Sequence, residues 1–214
     1  MSARAEAAPR RAPRRTHAER TAETRERILG AVVASVSEVG FRRTTASEIS
    51  RRAGVTWGAV QHHFGGKEGI LAAVLEDSFD RFAQRLADIE VAGAPLERRV
   101  ELFIDRAWEH FESPHFRSTF EILQHYAGEA SNPSAGEASN SWQTEMLTAW
   151  NRIWSAIFDD AHLSRRRRLT LQHYTISCLA GLAAVLRFET PPKRVLGDEL
   201  ALLKDTLVRE LRRG

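Results

Sequence analysis

"TTASEISRRAGVTWGAVQHHF", Thr44 to Phe64, is the stretch on which the fold turns. "TASE" at Thr45–Glu48 has the pattern of a capping box: the threonine hydroxyl accepts from the Glu48 amide and the glutamate reaches back. It opens a short helix with Ile49 and Ala53 inward, and Gly54 stops it. Thr56 can cap a second short helix, Trp57 to His63. Two short helices joined by "AGVT" have the size and spacing of a helix-turn-helix. Gly54 permits the sharp turn and Val55 plugs the space between the helices. The second helix would lie in the major groove with its N-terminal residues at base edges. Thr56 at its N-cap can meet a phosphate, helped by the helix N-terminus.

His62 and His63 invite other readings. Adjacent residues on a helix point about 100° apart, whereas helical metal ligands want a spacing of three or four. Neither histidine has a Cys or carboxylate at ligand spacing, so no metal is expected. No paired nucleophile and oxyanion donors accompany them, so the chain does not read as an enzyme and no cofactor is expected. Packing of one of the two against the hairpin stays open beside DNA contact.

Outward from this stretch, the chain has 214 residues, 43% of them apolar, which is enough to fill a core. The formal net charge is +3, yet residues 1–20 carry six Arg against two Glu. Basic charge gathered at one end suits a polyanion partner; a solvated, disordered leader is the plainer alternative. The segment has no apolar run of the secretory kind. Cys178 is the single cysteine, so no intrachain disulfide is possible, and it reads as a buried, inert thiol. The longest apolar run, around Ile176 to Leu186, is too short to span a bilayer. A cytoplasmic protein with no membrane partner is expected.

Helical periodicity dominates. Ile28, Val32, Val36 and Val39 share one face of a first helix ending at Gly40. A longer helix starts at Lys67 with Ile70, Leu71, Val74, Leu75 and Phe79 apolar. Pro95 opens a fifth helix with Val100, Phe103, Ala107 and Phe111 inward, and Pro114 a sixth with Phe116, Phe120 and Leu123 inward. "GEASNPSAGEASN", 128–140, repeats GEASN and reads as a polar loop insertion. A seventh helix carries Met146, Trp150, Ile153 and Ile157, an eighth runs from Ser164 to about Glu189, and a ninth carries Leu200, Leu203, Leu207 and Leu211. The fold class is therefore all-α with about nine helices: a disordered basic arm (1–21), a helix-turn-helix domain (22–66) and a larger helical bundle (67–214).

Arg25 to Phe79 resembles the TetR family of transcriptional regulators throughout. The resemblance lies in Ile28 and Leu29 opening helix 1, "GF" then "TT" before helix 2, and "EISRRAGVT", "HF" and "KEGIL" in family order and spacing. It implies phosphate contacts at Thr45, Thr56, His63 and Lys67, base-edge contacts at Trp57, Gly58, Gln61 and His62, and a DNA-binding place for Thr44 beside them. The family usually has Tyr at Gln61, a small capping residue at Gly66, and a small or polar residue at Trp57, so these departures bear on the operator sequence. The chemistry agrees with the assignment: Gln pairs bidentately with adenine, a Trp edge packs on a thymine methyl, and Gly58 lets the backbone approach closely. The Arg leader would add affinity and salt dependence.

The resemblance also implies a ligand cavity in the bundle. Trp108, Phe111, Phe120, Trp150 and Trp154 would line it for a flat or greasy small molecule, with His173, on the stripe Leu169, His173, Ile176 and Ala180, as one polar contact. A core His173 bonded to a backbone carbonyl is the alternative. Glu121 and His125 read as a surface i, i+4 pair. Arg165–Arg168 reads as a solvated face balanced by Asp159 and Asp160. Ser177, Ala180, Gly181, Ala183 and Ala184 permit close helix approach. With the Leu row of helix 9 they suggest a homodimer through helices 8 and 9, reading an inverted-repeat operator on double-stranded DNA. The expected function is a repressor released by a small-molecule effector. An architectural or division-control DNA-binding protein without a ligand is the alternative.

Overall fold

The computed structural model describes residues 16–130 and 141–213, apart from 88, 90–92, 187 and 189–192; side chains at 126–130, 141–147 and 193–194 are not described. Nine α-helices order the described residues: α1 His17–Val39, α2 Ala46–Ala53, α3 Trp57–Phe64, α4 Lys67–Ala87, α5 Leu96–Phe111, α6 Pro114–Ala130, α7 Ser141–Phe158, α8 Arg165–Val185 and α9 Lys193–Leu211.

Two apolar cores form. The first joins Ile28, Val32 and Val36 of α1 with Ile49 and Ala53 of α2, Val60 and Phe64 of α3, and Ile70, Leu71, Val74 and Leu75 of α4. The second joins Phe82 and Leu86 of α4 with Phe103, Trp108 and Phe111 of α5, Trp150 and Trp154 of α7, Leu171 and Leu179 of α8, and Leu203, Leu207 and Leu211 of α9. α4 thus serves both, its first half packed in the small unit and its second in the bundle. Ile122 of α6 is buried in the first core, and the Ser118 hydroxyl donates to the Val33 carbonyl at 3.0 Å, so α6 clamps α1 from the bundle side.

Several expectations need correction. The first helix begins at His17, so 17–21 are helical rather than part of a disordered arm; residues 1–15 lie outside the described residues. Its start is a full capping box, Thr16 with Glu19, which the sequence reading missed. The box at Thr45 is only half made: Thr45 Oγ1 accepts from the Glu48 amide at 3.3 Å, but the Glu48 carboxylate turns to Arg51 and Arg52. Val39 leaves the apolar face of α1 and is 36% exposed. The Leu row of α9 is core, so it offers no free dimer face; Ala183 of α8 is buried as well. α6 extends to Ala130, so the first GEASN copy begins inside a helix, while 131–140 lie outside the described residues.

Two polar expectations also change. Asp160 does not balance the Arg run. It takes two hydrogen bonds, at 2.6 and 2.8 Å, from the buried Arg99 of α5, which also donates to the Ile157 carbonyl; Arg167 pairs with Glu210 of α9. Glu121 and His125 are no idle surface pair. The Phe41 amide donates to the Glu121 carboxylate at 3.2 Å, and the His125 ring lies 4.5 Å from the Phe41 ring.

Candidate nucleic-acid interface

The turn between α2 and α3 is built locally. Gly54 takes φ +64° at the end of α2, a left-handed conformation that an L side chain resists, and its amide returns to the Ser50 carbonyl. Thr56 then caps α3 by accepting from the Ala59 amide at 3.2 Å. Thr45 does the same for α2. Each hydroxyl accepts inward and keeps its proton free to donate outward, and both threonines are exposed. Two helix N-termini with free hydroxyl donors suit phosphate oxygens.

α3 divides cleanly. Val60 and Phe64, one turn apart, are buried at 0% and 9% exposure and fix the helix to the small core. Gly58, Gln61 and His62 are exposed. Trp57 and His63 are half-buried, Trp57 packing against the core with part of its indole left outside. A Cβ on Gly58 would meet nothing nearer than the Thr56 hydroxyl at 3.9 Å, so the absence of a side chain keeps the outer backbone accessible rather than relieving an internal clash. Gly69 is different: a Cβ there would stand 1.8 Å from the Phe64 carbonyl, so the end of α3 is seated directly on the start of α4.

Charge is distributed unevenly across this face. Hydrogen bonds from Arg51 and then Arg52 hold the Glu48 carboxyl down at about 2, so it stays ionised and neutralises its neighbours. Arg52 also reaches Glu38 of α1 at 2.7 Å, tying α2 to α1. Arg42 and Arg43, on the short 3-10 turn Phe41–Arg43 before Thr45, are exposed and have no ion pair among the described residues. The sequence reading passed over them, although "FRRTT" places them beside the capping threonines. Lys67 is exposed at the start of α4 with its Nζ 5.0 Å above the Phe41 ring. Thr44 is the correction: its side chain is 1% exposed, paired with the Ser35 hydroxyl at 3.0 Å and donating to the Gly40 carbonyl. It has no group to offer a phosphate and instead fastens the turn to α1.

The bundle candidates do not converge on one cavity. Trp108, Phe111, Trp150 and Trp154 are buried among rings packed on one another; Phe82 stacks on Trp150 at 5.3 Å and Phe103 meets Trp154 edge-on at 5.8 Å. Phe120 sits at the margin, lining a cleft between the small unit and α6 and α8. His173 is exposed on α8, not on an inner stripe, beside Arg165, Arg166, Leu169 and Thr170. No cluster of three metal-ligating side chains occurs among the described residues, and none of their helices is long and apolar enough to cross a membrane.

Residues 28–74, most of α1 through the first part of α4, match the model of the bacterial regulatory proteins of the tetR family. The chain is 39% identical over 70 residues to the HTH-type transcriptional regulator BetI 2 of Chromohalobacter salexigens, a match covering 31% of this chain and 34% of that protein. It therefore spans only about a third of that relative's length. It is 36% identical over 189 residues to the HTH-type transcriptional regulator BetI of Cronobacter sakazakii, covering 86% of this chain and 76% of that one. Among solved structures, a transcriptional regulator of Rhodococcus sp. Rha1 superposes with a TM-score of 0.66 at 21% identity, over 86% of this chain and 96% of the other. These matches show that the chain belongs to the tetR family of transcriptional regulators.

Proposed function

We propose that this regulator is a repressor that binds an inverted-repeat operator as a homodimer and leaves it when a small apolar molecule enters the bundle. The observation that carries the reading is the exposed face of α3. Gly58, Gln61 and His62 are exposed on a helix whose other side is locked into a core, flanked by two capping hydroxyls and by the exposed cations Arg42 and Arg43, which make no ion pair among the described residues. On this reading Gln61 and the outer edge of Trp57 read bases, and Thr45, Thr56, His63, Lys67, Arg42 and Arg43 hold phosphates.

Self-association is supported by the outer side of α8 and α9. Tyr174, Val185, Val195 and Leu202 are exposed, and Phe188 is 87% exposed, while Ser177 and Gly181 leave the α8 surface low between them. Exposed apolar groups of this size on adjoining helices suit a second copy related by a twofold axis. Such a dimer sets two α3 helices about one DNA turn apart. Release by a ligand requires that it bind the DNA-incompetent arrangement more tightly. α4, shared by both cores, and the clamp from α6 supply the mechanical link.

The test is selection of genomic fragments by the purified protein, followed by footprinting and light scattering. A protected inverted repeat bound by two copies is the expected result. Protection of a single unrepeated half-site, or a monomer on DNA, would overturn the dimeric operator reading.

A further inference from the structure

The cleft beside Phe120 touches both units of the protein and has a volume of about 910 Å³. One wall is a single stripe of α6, Phe120, Glu121, Gln124 and His125, which helical period brings to one side. The small unit supplies Val39, at the end of α1, and the 3-10 turn Phe41–Arg43; α8 supplies Ala184, and Phe188 lies just beyond it. Val39 is 36% exposed, and Arg42, Arg43, Gln124, His125 and Phe188 are exposed as well. A molecule therefore reaches these side chains from solvent without parting any packed rings. The volume is in the range of small-molecule sites, about 300–1,000 Å³.

The surfaces are of two kinds. Val39, Phe120, Ala184 and Phe188 offer apolar contact; Phe120 stacks on Phe116 at 5.7 Å and is only half-buried. Arg42 and Arg43 offer charge. Neither makes an ion pair among the described residues, whereas Arg51, Arg52 and Arg99 are each held by a carboxylate. The carboxylate that lines the cleft, Glu121, accepts from the Phe41 amide at 3.2 Å, and the His125 ring lies 4.5 Å from the Phe41 ring. Two guanidinium groups against one carboxylate leave the cleft with surplus positive charge. Guanidinium groups meet carboxylates and phosphates with paired N–H donors. An ammonium head would find the Phe120 and Phe188 rings by cation–π attraction, but it would also face both arginines.

We propose that the cleft between the small unit and α6 binds an amphipathic anion, its apolar body against Val39, Phe120 and Phe188 and its acidic head on Arg42 and Arg43. This deepens, and rests on, the reading of a repressor released by a small molecule. It narrows entry to the α6 margin of the bundle, away from the packed rings of α5 and α7, and adds an acidic head to the apolar body. The same two guanidinium groups hold DNA phosphates in that reading, so the bound head and the operator compete for them.

The test uses four probes on one alkyl chain: decanoate, decyl phosphate, decanol and decyltrimethylammonium, titrated by calorimetry into the full chain below their micelle-forming concentrations. Each anion is expected to bind about tenfold more tightly than decanol, the effect of roughly one charge-assisted hydrogen bond, and the ammonium no more tightly than decanol. Replacing both arginines, Arg42→Gln with Arg43→Gln on exposed side chains, should bring the anions down to decanol's affinity and leave decanol unchanged. Val39→Glu, at an exposed position of the same cleft, should weaken both anions. Preference for one anion over the other supports the site and names its head as carboxylate or phosphate. Equal affinity of anions and decanol, ammonium binding as tight as decanoate, full anion affinity in the double variant, or binding of none of the four overturns the proposal. Operator release is read separately by gel retardation. Anion binding without release overturns the ligand-released reading and leaves the site standing, whereas release by decanol and the anions alike overturns the anionic class and leaves the ligand-released reading standing.

Discussion

The backbone amide of Phe41 donates to the carboxylate of Glu121 across 3.2 Å, joining two residues 80 positions apart in the chain. Phe41 stands at the 3-10 turn before α2, and Glu121 stands on α6 in the bundle. The His125 ring and the Lys67 ammonium lie against the same phenyl ring. A shift of α6 is therefore felt at the turn that positions Thr45. Glu121→Ala is expected to lower stability by about 1 kcal/mol, the ordinary net worth of one hydrogen bond at a half-buried site, and to weaken operator binding in parallel. Glu121→Gln keeps an acceptor and should restore most of both. Denaturant unfolding with a retardation assay on the same preparations checks it; equal losses in Ala and Gln would show that the acceptor is not what matters.

Gln61→Ala is expected to relax preference at one operator base pair at a cost of about 1–3 kcal/mol. Lys67→Ala should instead weaken every sequence alike and flatten the salt dependence. Affinities over a set of single-base operator variants at two salt concentrations separate the outcomes. A uniform loss in both mutants would remove Gln61 from the base-reading group.

Thr44 and Thr45 are neighbours with opposite duties. Thr44→Val leaves the buried Ser35 hydroxyl without its partner and should cost about 1–3 kcal/mol of folding stability while the folded fraction binds DNA as before. Thr45→Ala removes a cap, about 1 kcal/mol, and a hydroxyl at the DNA face, so its affinity should fall further than its stability explains. Unfolding curves and DNA titrations normalised to folded protein make the comparison. A DNA-specific defect in Thr44→Val would contradict the buried role.

Gly69→Ala drives a methyl to within 1.8 Å of the Phe64 carbonyl, and backbone atoms cannot swing aside. α3 must shift on α4, at about 1–3 kcal/mol or more, and the reading helix moves with it. Loss of operator affinity beyond the loss of stability is expected; unaltered affinity in a folded mutant would show that the two helices part freely.

His110 is buried beside Phe82 and Phe116, and burial, then the charges of His115 and Arg85, push its pKa from 6.5 to about 4. The unfolded chain takes this proton near 6.5 while the folded one refuses it until about 4, so stability falls as pH drops through that window and levels below it. The expected slope is about 1.4 kcal/mol per pH unit. His110→Gln should be less stable at neutral pH yet lose less between pH 6.5 and 4. His115 is shifted in the same direction by burial and keeps part of the slope in the mutant. An unchanged slope would mean that His110 is protonated in the folded protein.

Much of the small unit was legible because its determinants are local. Gly54, Thr45 and Thr56 act within four residues of themselves, so their caps and turn follow from spacing alone. The buried pairs Ile49 with Ala53 and Val60 with Phe64 follow from helical period. The second half of the Thr45 box failed because Arg51 and Arg52, both cationic and one turn away, outbid a backbone amide for the Glu48 carboxylate. Thr44 was misplaced because a residue between two helices has no period to say which way it points.

In the bundle, periodicity found the helices but not their partners. The Leu row of α9 and the stripe holding His173 are apolar or mixed faces with no label for core or free surface; packing on α5 buried the first, while in the second Ile176 and Ala180 pack against the core and His173 stays exposed. Asp160 could have met any of several arginines, and the turn after α7 brought it to Arg99. The helix-turn-helix and the succession of helices were already legible in local spacing, since caps, turns and periodic faces are written in neighbouring residues. The clasp of Phe41 on Glu121 and the buried place of Thr44 came only with the packed fold. Those depend on which distant surfaces meet, and a contact between residues 80 apart leaves no mark in the spacing of either.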